Sequence, residues 1–431
     1  MTDSPTPRAT PARRRSNRGL QLLGSRPRLA LLFLASMGPG LITANAGNDA
    51  GGIATYSQAG AEYGYGLLWA FPLILLSLAV VQEMAARMGA ATGKGLSDLI
   101  RENFSIRTTS IVLLALLVAN GGTVVSEFIG IAASVKLLHN GAQYVAVPLI
   151  AAAIWLMVVK GSYRSVEKVF LSMTLVFFAY PISAVLAHPN WGSALRHTVV
   201  PSATLSQGYL FTFVALVGTS ITPYMQVYVQ SAVADKGITA RDYAPERIEV
   251  YLASVFANLI AVFIVIATAA TLYPRHIVIN DASQAAQALA PLAGKYAELL
   301  FATGLFGASM LAAAILPLAT AYSISEALGV EKGVDAGFRD APVFMGLFTG
   351  LMAVGVVVAL LPGLPLIQIL LVVQVIDCLL LPFILFSILR LVNSPRLMGD
   401  MVNGRVYNAV AGTAAVLVTG LAIAYIVSTV V

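Results

Sequence analysis

The chain has 431 residues, 58% hydrophobic and only 11% charged, with a formal net charge of +6 and a mean hydropathy of +0.83. A soluble domain carries about a quarter charged residues, so this balance excludes one of ordinary make-up. A single cysteine, Cys378, excludes an intrachain disulfide and any cysteine-cluster metal site.

The N-terminal stretch 1–28 is rich in Pro, Ser and Arg and has no apolar pattern. It reads as a disordered, basic cytoplasmic tail. The run Arg13, Arg14, Arg15 resembles an export signal. No cleavage site follows, which favours a retained first helix. Eleven apolar spans come after the tail. They lie at about 29–58, 63–88, 108–138, 144–160, 168–187, 206–232, 246–273, 297–327, 342–361, 365–391 and 406–429. Of the 26 Lys and Arg residues, all but Lys136, Arg196, Arg275 and Lys295 fall in alternate connecting segments. This charge asymmetry predicts a multi-pass protein of the cell membrane with a cytoplasmic N-terminus and the C-terminus outside.

The first span contains GPGLITANAGNDAGGIATY, Gly38 to Tyr56. It sets Asp49 beside Asn45, Asn48, Gly47, Gly51 and Gly52 at membrane depth. An acid there is costly and faces a cavity or a partner. Irregular backbone is tolerated only where it lines such a cavity. The stretch therefore reads as two half-helices meeting at an unwound turn, with Gly51 and Gly52 as breakers. The competing reading is a Gly-rich packing face with Asp49 paired to a buried base, but no Lys or Arg lies in the middle of any span. The sixth span is interrupted at Gly218–Tyr224, where Pro223 removes a backbone donor. Alone, Pro223 is equally well a simple kink. Paired with the first interruption, it predicts an inverted-repeat carrier with its site between the two broken helices. Glu83, Glu249, Glu298 and Glu326 lie near span ends and are expected to be hydrated. Tyr63, Tyr65, Trp69, Trp155 and Trp191 suit interfacial belts, Trp155 also a core position. There is no Walker-type phosphate loop, no Ser–His–Asp or zinc-protease pattern and no soluble stretch long enough for an enzyme, and nothing points to nucleic acid.

The first-span sequence GPGLITANAGNDAGG, followed by Ile53, Ala54 and Thr55, resembles the first helix of the Nramp divalent-metal transporters. ATGKGL at 91–96, Glu127 in TVVSEFIGIAASVKLL, Gln374 in LLVVQVIDCLLLPF and PRLMG at 395–399 are similar to further motifs of that family. The resemblance covers nearly all of the chain after the tail. It implies an all-α membrane protein of the leucine-transporter type, with 11 transmembrane helices and helices 1 and 6 broken. The inverted repeats would be about 29–190 and 205–393, within a transporter domain at 29–431, and the extra helix about 406–429. It also implies a secondary carrier of divalent metal cations, with the ion as cargo and no cofactor.

Departures from the family shape the implied site. The family's Asp-Pro-Gly-Asn is Asp49, Ala50, Gly51 and Gly52 here, so the amide ligand is missing. The methionine before the sixth-helix proline is replaced by Thr222 and the histidine after it by Tyr224. All four histidines, His139, His188, His197 and His276, lie in or next to outer segments. The implied ligands are the Asp49 carboxylate, the Thr222 hydroxyl, the Gln374 amide and backbone carbonyls near Ala46 and Thr219, with Asn45 and Asn48 nearby. Asp377, three residues after Gln374 on one helix face, is either a second carboxylate ligand or a partner for a neighbouring helix. Hard oxygen ligands without sulfur suit Mn²⁺ or Mg²⁺. Glu127 and Tyr224 are candidates for a gate or proton pathway. Val124 replaces a second acid of the family, so Glu127 is equally well a plain interhelical hydrogen bonder. Two alternatives remain: a same-fold carrier of a small organic solute, and a non-transporting metal sensor. The choice of ion, proton coupling and oligomeric state are not encoded legibly.

Overall fold

The computed structural model describes residues 48–159, 174–202, 204, 206–331 and 337–430. The tail 1–28, Asn45 and Ala46 lie outside them. Every regular element among the described residues is a helix, and none is a strand. That follows from the composition, because a backbone surrounded by hydrocarbon must satisfy its own polar groups, and a helix does so within one segment.

In chain order the principal helices are α1 (Ala50–Tyr63), α2 (Ala70–Thr92), the short α3 (Leu96–Asn103), α4 (Ile106–Leu138), α5 (Gln143–Val159), α6 (Ala179–Leu186), α7 (Gln207–Ser220), α8 (Pro223–Asp235) and α9 (Tyr243–Thr271). They continue with α10 (Ala297–Leu328), α11 (Pro342–Ala359), α12 (Leu366–Val392) and α13 (Arg405–Val430). Among the described residues eight helical stretches are long and apolar enough to cross a membrane, α7 and α8 counting as one. α5 and α6 are shorter apolar helices, and α1 starts partway along the first apolar stretch.

Two starts inside apolar stretches position the site. α1 begins at Ala50, with Asp49 as its N-cap in extended conformation (φ −70°, ψ −175°). The Gly52 amide donates to Asp49 Oδ1 at 2.7 Å. Gly51 and Gly52, expected to be the breakers, instead lie in the first turn of α1. α1 starts after Asp49 because a helix start needs a side-chain acceptor for its orphan amides, which aspartate has and glycine lacks. In the sixth apolar stretch, α7 stops at Ser220. Ile221 (φ −125°, ψ 54°) and Thr222 (φ −63°, ψ 142°) leave helical geometry. Pro223 opens α8 at a first-turn position, where its missing N–H costs nothing.

α4 is the central post of the bundle and packs on α10, α11 and α12. α1 packs on α7, α9 and α12, and α8 packs on α2. At the far end of α2 one sequence expectation fails. Glu83 is buried, only 2% exposed, rather than hydrated. Arg87, one turn on, pairs with it at 3.3 Å. The Tyr243 hydroxyl donates to its carbonyl at 3.0 Å and its carboxylate at 3.2 Å. Arg87 also donates to the Met401 carbonyl at 3.0 Å and lies over the Tyr407 ring. A buried charge needs such partners, and these tie α2, α9 and the start of α13 together. Glu298 is exposed, and Glu249 and Glu326 are partly so.

Glycine sets how closely α7 meets α12. A Cβ on Gly218 would collide with the Gln374 carbonyl and the Cys378 backbone. Gly218→Val is expected to force the helices apart and cost about 1–3 kcal/mol, as overpacking does. Gly346→Ala, at a site with no atom nearby, serves as the neutral control. Thermal unfolding of the detergent-solubilised variants measures both.

Candidate metal centre

The start of α1 and the gap between α7 and α8 both lie against α12. Gln374 sits so close to Gly51 that a side chain on that glycine would overlap the Gln374 amide. This explains why the first turn of α1 tolerates a poor helix former. The Tyr56 hydroxyl on α1 hydrogen-bonds the Ser220 hydroxyl at the end of α7 at 3.2 Å. The Thr219 side chain stands beside the same phenol. Asp49, Thr222, Gln374, Asp377 and Glu127 are all buried, none more than 1% exposed.

What distinguishes this cluster is unfinished hydrogen bonding. Asp49 Oδ1 accepts the Gly52 amide, but Oδ2 has no hydrogen-bond partner among the described residues. Thr222 does not cap its own helix, and its Oγ1 also lacks a partner. Neither atom of the Gln374 amide has one. Buried polar atoms are almost always paired, and each orphan costs about 1–3 kcal/mol. Other buried side chains of the bundle, Ser97 and Ser325 among them, also lack partners, but Asp49, Thr222 and Gln374 do so where α1 starts and where α7 gives way to α8.

Asp377 is divided between the two roles open to it. Its Oδ2 accepts from the Thr123 hydroxyl on α4 at 3.0 Å, while Oδ1 has no partner among the described residues. Glu127 on α4 faces Asp49, the Ala50 amide and Ser309. Neither of its carboxylate oxygens is in hydrogen-bond geometry with any described group. Tyr224 lies beside Thr222 and faces Asp49, Glu127 and Asp377. These acids sense one another, yet among the described residues no three His, Cys, Asp or Glu side chains converge as a metal cluster. A cation here would draw on hydroxyl, amide and carbonyl oxygens beside a carboxylate. Ala46, the other expected carbonyl donor, lies outside the described residues.

Tyr56, Ser220, Thr123 and Ser309 carried no sequence signal, because hydroxyls are common in apolar helices. A second interhelical pair lies near Thr123: Asn120 donates to the Thr320 hydroxyl at 3.0 Å, joining α4 to α10. Cavities flank the centre. One of about 510 Å³ lies between α1, α7 and α12 at the end carrying Glu62. One of about 490 Å³ lies between α8 and α10 at the end carrying Asp235 and Glu326.

The fold matches a manganese transporter of Eremococcus coleocola with a TM-score of 0.70, covering 93% of this chain and 87% of that one at 20% identity. It also matches Mhp1, a nucleobase-cation-symport-1 family transporter, with a TM-score of 0.57, covering 91% and 90% of the two chains at 13% identity. At these identities the likeness speaks for the fold alone. By sequence the chain matches the Nramp family, described as natural resistance-associated macrophage protein-like, over residues 40–428. A relative named divalent metal cation transporter MntH from Erwinia tasmaniensis is 30% identical, covering 86% of this chain and 89% of its own length. One of the same name from Deinococcus radiodurans is 28% identical, covering 92% and 90%. The chain belongs to the Nramp family.

Thr123→Val removes the donor that holds Asp377. It is expected to destabilise the protein by about 1–3 kcal/mol, the cost of leaving a buried acceptor unpaired, while Thr413→Val at an exposed position of α13 should be silent. Thermal unfolding in the absence of metal checks the difference.

Proposed function

We propose that the chain is a secondary carrier that moves divalent metal cations across the plasma membrane by alternating access. Eleven spans in two inverted repeats, with an extra helix and a cytoplasmic N-terminus, form its frame. The observation that carries this reading is the set of unpartnered buried oxygens of Asp49, Thr222 and Gln374 at two helix breaks. The cation is their missing partner. Membership of the Nramp family and relatives named divalent metal cation transporters support the same conclusion.

Carboxylate, hydroxyl, amide and carbonyl oxygens form a hard ligand set, and no sulfur stands at the Thr222 position. Such a set favours Mn²⁺ and Mg²⁺ over Cd²⁺. Asp377 would supply a second carboxylate oxygen through Oδ1, which has no partner among the described residues. An organic solute bearing a carboxylate is disfavoured, since Asp49 would repel it where the start of α1 would otherwise attract it. The membrane potential supplies about 2.3 kcal/mol per charge per 100 mV, so a divalent ion gains roughly twice that on moving inward. The centre is closed in this conformation. Opening of the cavity beside α8 and α10 would release the ion, and Tyr224 and Glu127 stand at the centre as gate or proton-pathway groups.

Uptake of Mn²⁺ and Mg²⁺ into proteoliposomes under an inside-negative potential tests the proposal. Asp49→Ala is expected to reduce flux to background. Robust Cd²⁺ flux without a response to Mn²⁺ or Mg²⁺ would overturn the ion assignment, and metal binding without flux would identify a sensor instead. Thr222→Met is expected to raise Cd²⁺ uptake relative to Mg²⁺ by about tenfold, the order of one added soft ligand. Repeating the assay with a pH gradient at fixed potential separates proton-coupled from potential-driven uptake.

A further inference from the structure

The cavity of about 510 Å³ between α1, α7 and α12 lies on the same three helices that hold the candidate metal centre. Gln368 of its wall is six residues before Gln374 on α12, about 9 Å along the helix at 1.5 Å per residue. Gln58 of its wall is nine residues after Asp49 on α1, about 13 Å by the same measure. The cavity therefore stands one to three turns from the centre. The Tyr56–Ser220 hydrogen bond joins α1 to α7 between them in the chain order of α1.

The chemistry of the wall is one-sided. Among the described residues Glu62 is the only charged one in its wall, and no Lys or Arg lines it. The other polar side chains of the wall are amides and two hydroxyls: Gln58, Gln207, Asn280 and Gln368, with Thr212 and Tyr425. Gln58 and Glu62 are one turn apart on the same face of α1, and the Gln58 amide nitrogen donates to the Glu62 carboxylate. That bond orients the Gln58 carbonyl away from Glu62. Gln58 is 92% buried by the same measure that leaves it 8% exposed, and its Oε1 has no hydrogen-bond partner among the described residues. A buried, unsatisfied carbonyl oxygen beside a carboxylate, both on the wall of one cavity, asks for a cation or for the water bound to one.

We propose that this cavity is a second cation station, in which Glu62 and the Gln58 carbonyl oxygen hold a hydrated divalent ion before it sheds water and passes to the centre at Asp49. The proposal rests on the carrier reading above. Six waters at about 30 Å³ each need about 180 Å³, well within the cavity. Mg²⁺ in particular keeps its water shell and is held by one or two carboxylates and outer-sphere oxygens. Glu62 supplies the charge, and the amides supply acceptors for the hydrogens of the bound water. The station would concentrate the ion at the mouth without stripping it. Full dehydration is left to the ligands at the helix breaks.

The test uses the full chain in two measurements. In proteoliposome uptake of Mn²⁺, Glu62→Gln is expected to raise the KM about fivefold or more with the maximal rate retained, and Gln58→Leu to act in the same direction. An unchanged KM in both variants, with Asp49→Ala still inactive, overturns the station and leaves the carrier reading intact. The second measurement is independent of flux: equilibrium Mn²⁺ binding followed by electron paramagnetic resonance on purified protein. Asp49→Ala is expected to retain one weaker site, which the double variant Asp49→Ala, Glu62→Gln loses. Absence of any residual site in Asp49→Ala, or its persistence in the double variant, overturns the inference. If the native chain shows no flux at all, the carrier reading fails, while the binding measurement still decides the station.

Discussion

The structure turns on the two oxygens of one carboxylate. Asp49 Oδ1 is engaged by the Gly52 amide and fixes the start of α1. That bond is local and follows from the unmet amides of any helix start. With one oxygen engaged by the backbone, Oδ2 is left toward the interior without a partner among the described residues. A buried carboxylate oxygen without a hydrogen-bond partner calls for a ligand, and Thr222 and Gln374 near it carry oxygens in the same condition.

Close packing is what brings the other oxygens within range. Gly51 leaves room for the Gln374 amide, and Gly218 lets α7 ride on the backbone of α12 near Cys378. Thr222 stands outside both α7 and α8, so its hydroxyl is not absorbed by a helix ladder. Membrane helices gain little from apolar association, since lipid is as apolar as the partner helix. Small residues and interhelical hydrogen bonds such as Thr123 to Asp377 and Asn120 to Thr320 take that role. The same bonds that hold the bundle together thus set the geometry of the centre.

Much of this was legible in the sequence because polar groups stand out in apolar spans. Asp49, Pro223, Gln374 and Asp377 each interrupt a run of hydrocarbon side chains, and the resemblance to Nramp proteins rests in part on the stretches around Asp49 and Gln374. Gly51 and Gly52 mark the interrupted stretch yet lie in the first turn of α1, since glycine signals a break without showing which side chain caps the helix. Glu83 was misplaced because its partners Arg87 and Tyr243 belong to α2 and α9, and only folding brings Tyr243 to it. The pairing of Thr123 with Asp377, 254 residues apart, has no local signature at all. Likewise, the orphaned oxygen of Gln58 depends on the orientation of one amide, which a sequence does not encode.

The most direct test of the centre is anomalous X-ray scattering from crystals of the full chain equilibrated with Mn²⁺. The account predicts a peak within coordination distance of Asp49 Oδ2, Thr222 Oγ1 and Gln374 Oε1, between the start of α1 and the gap separating α7 from α8. Mn²⁺ found only at other places in the bundle, with these three oxygens still without a partner, would contradict it.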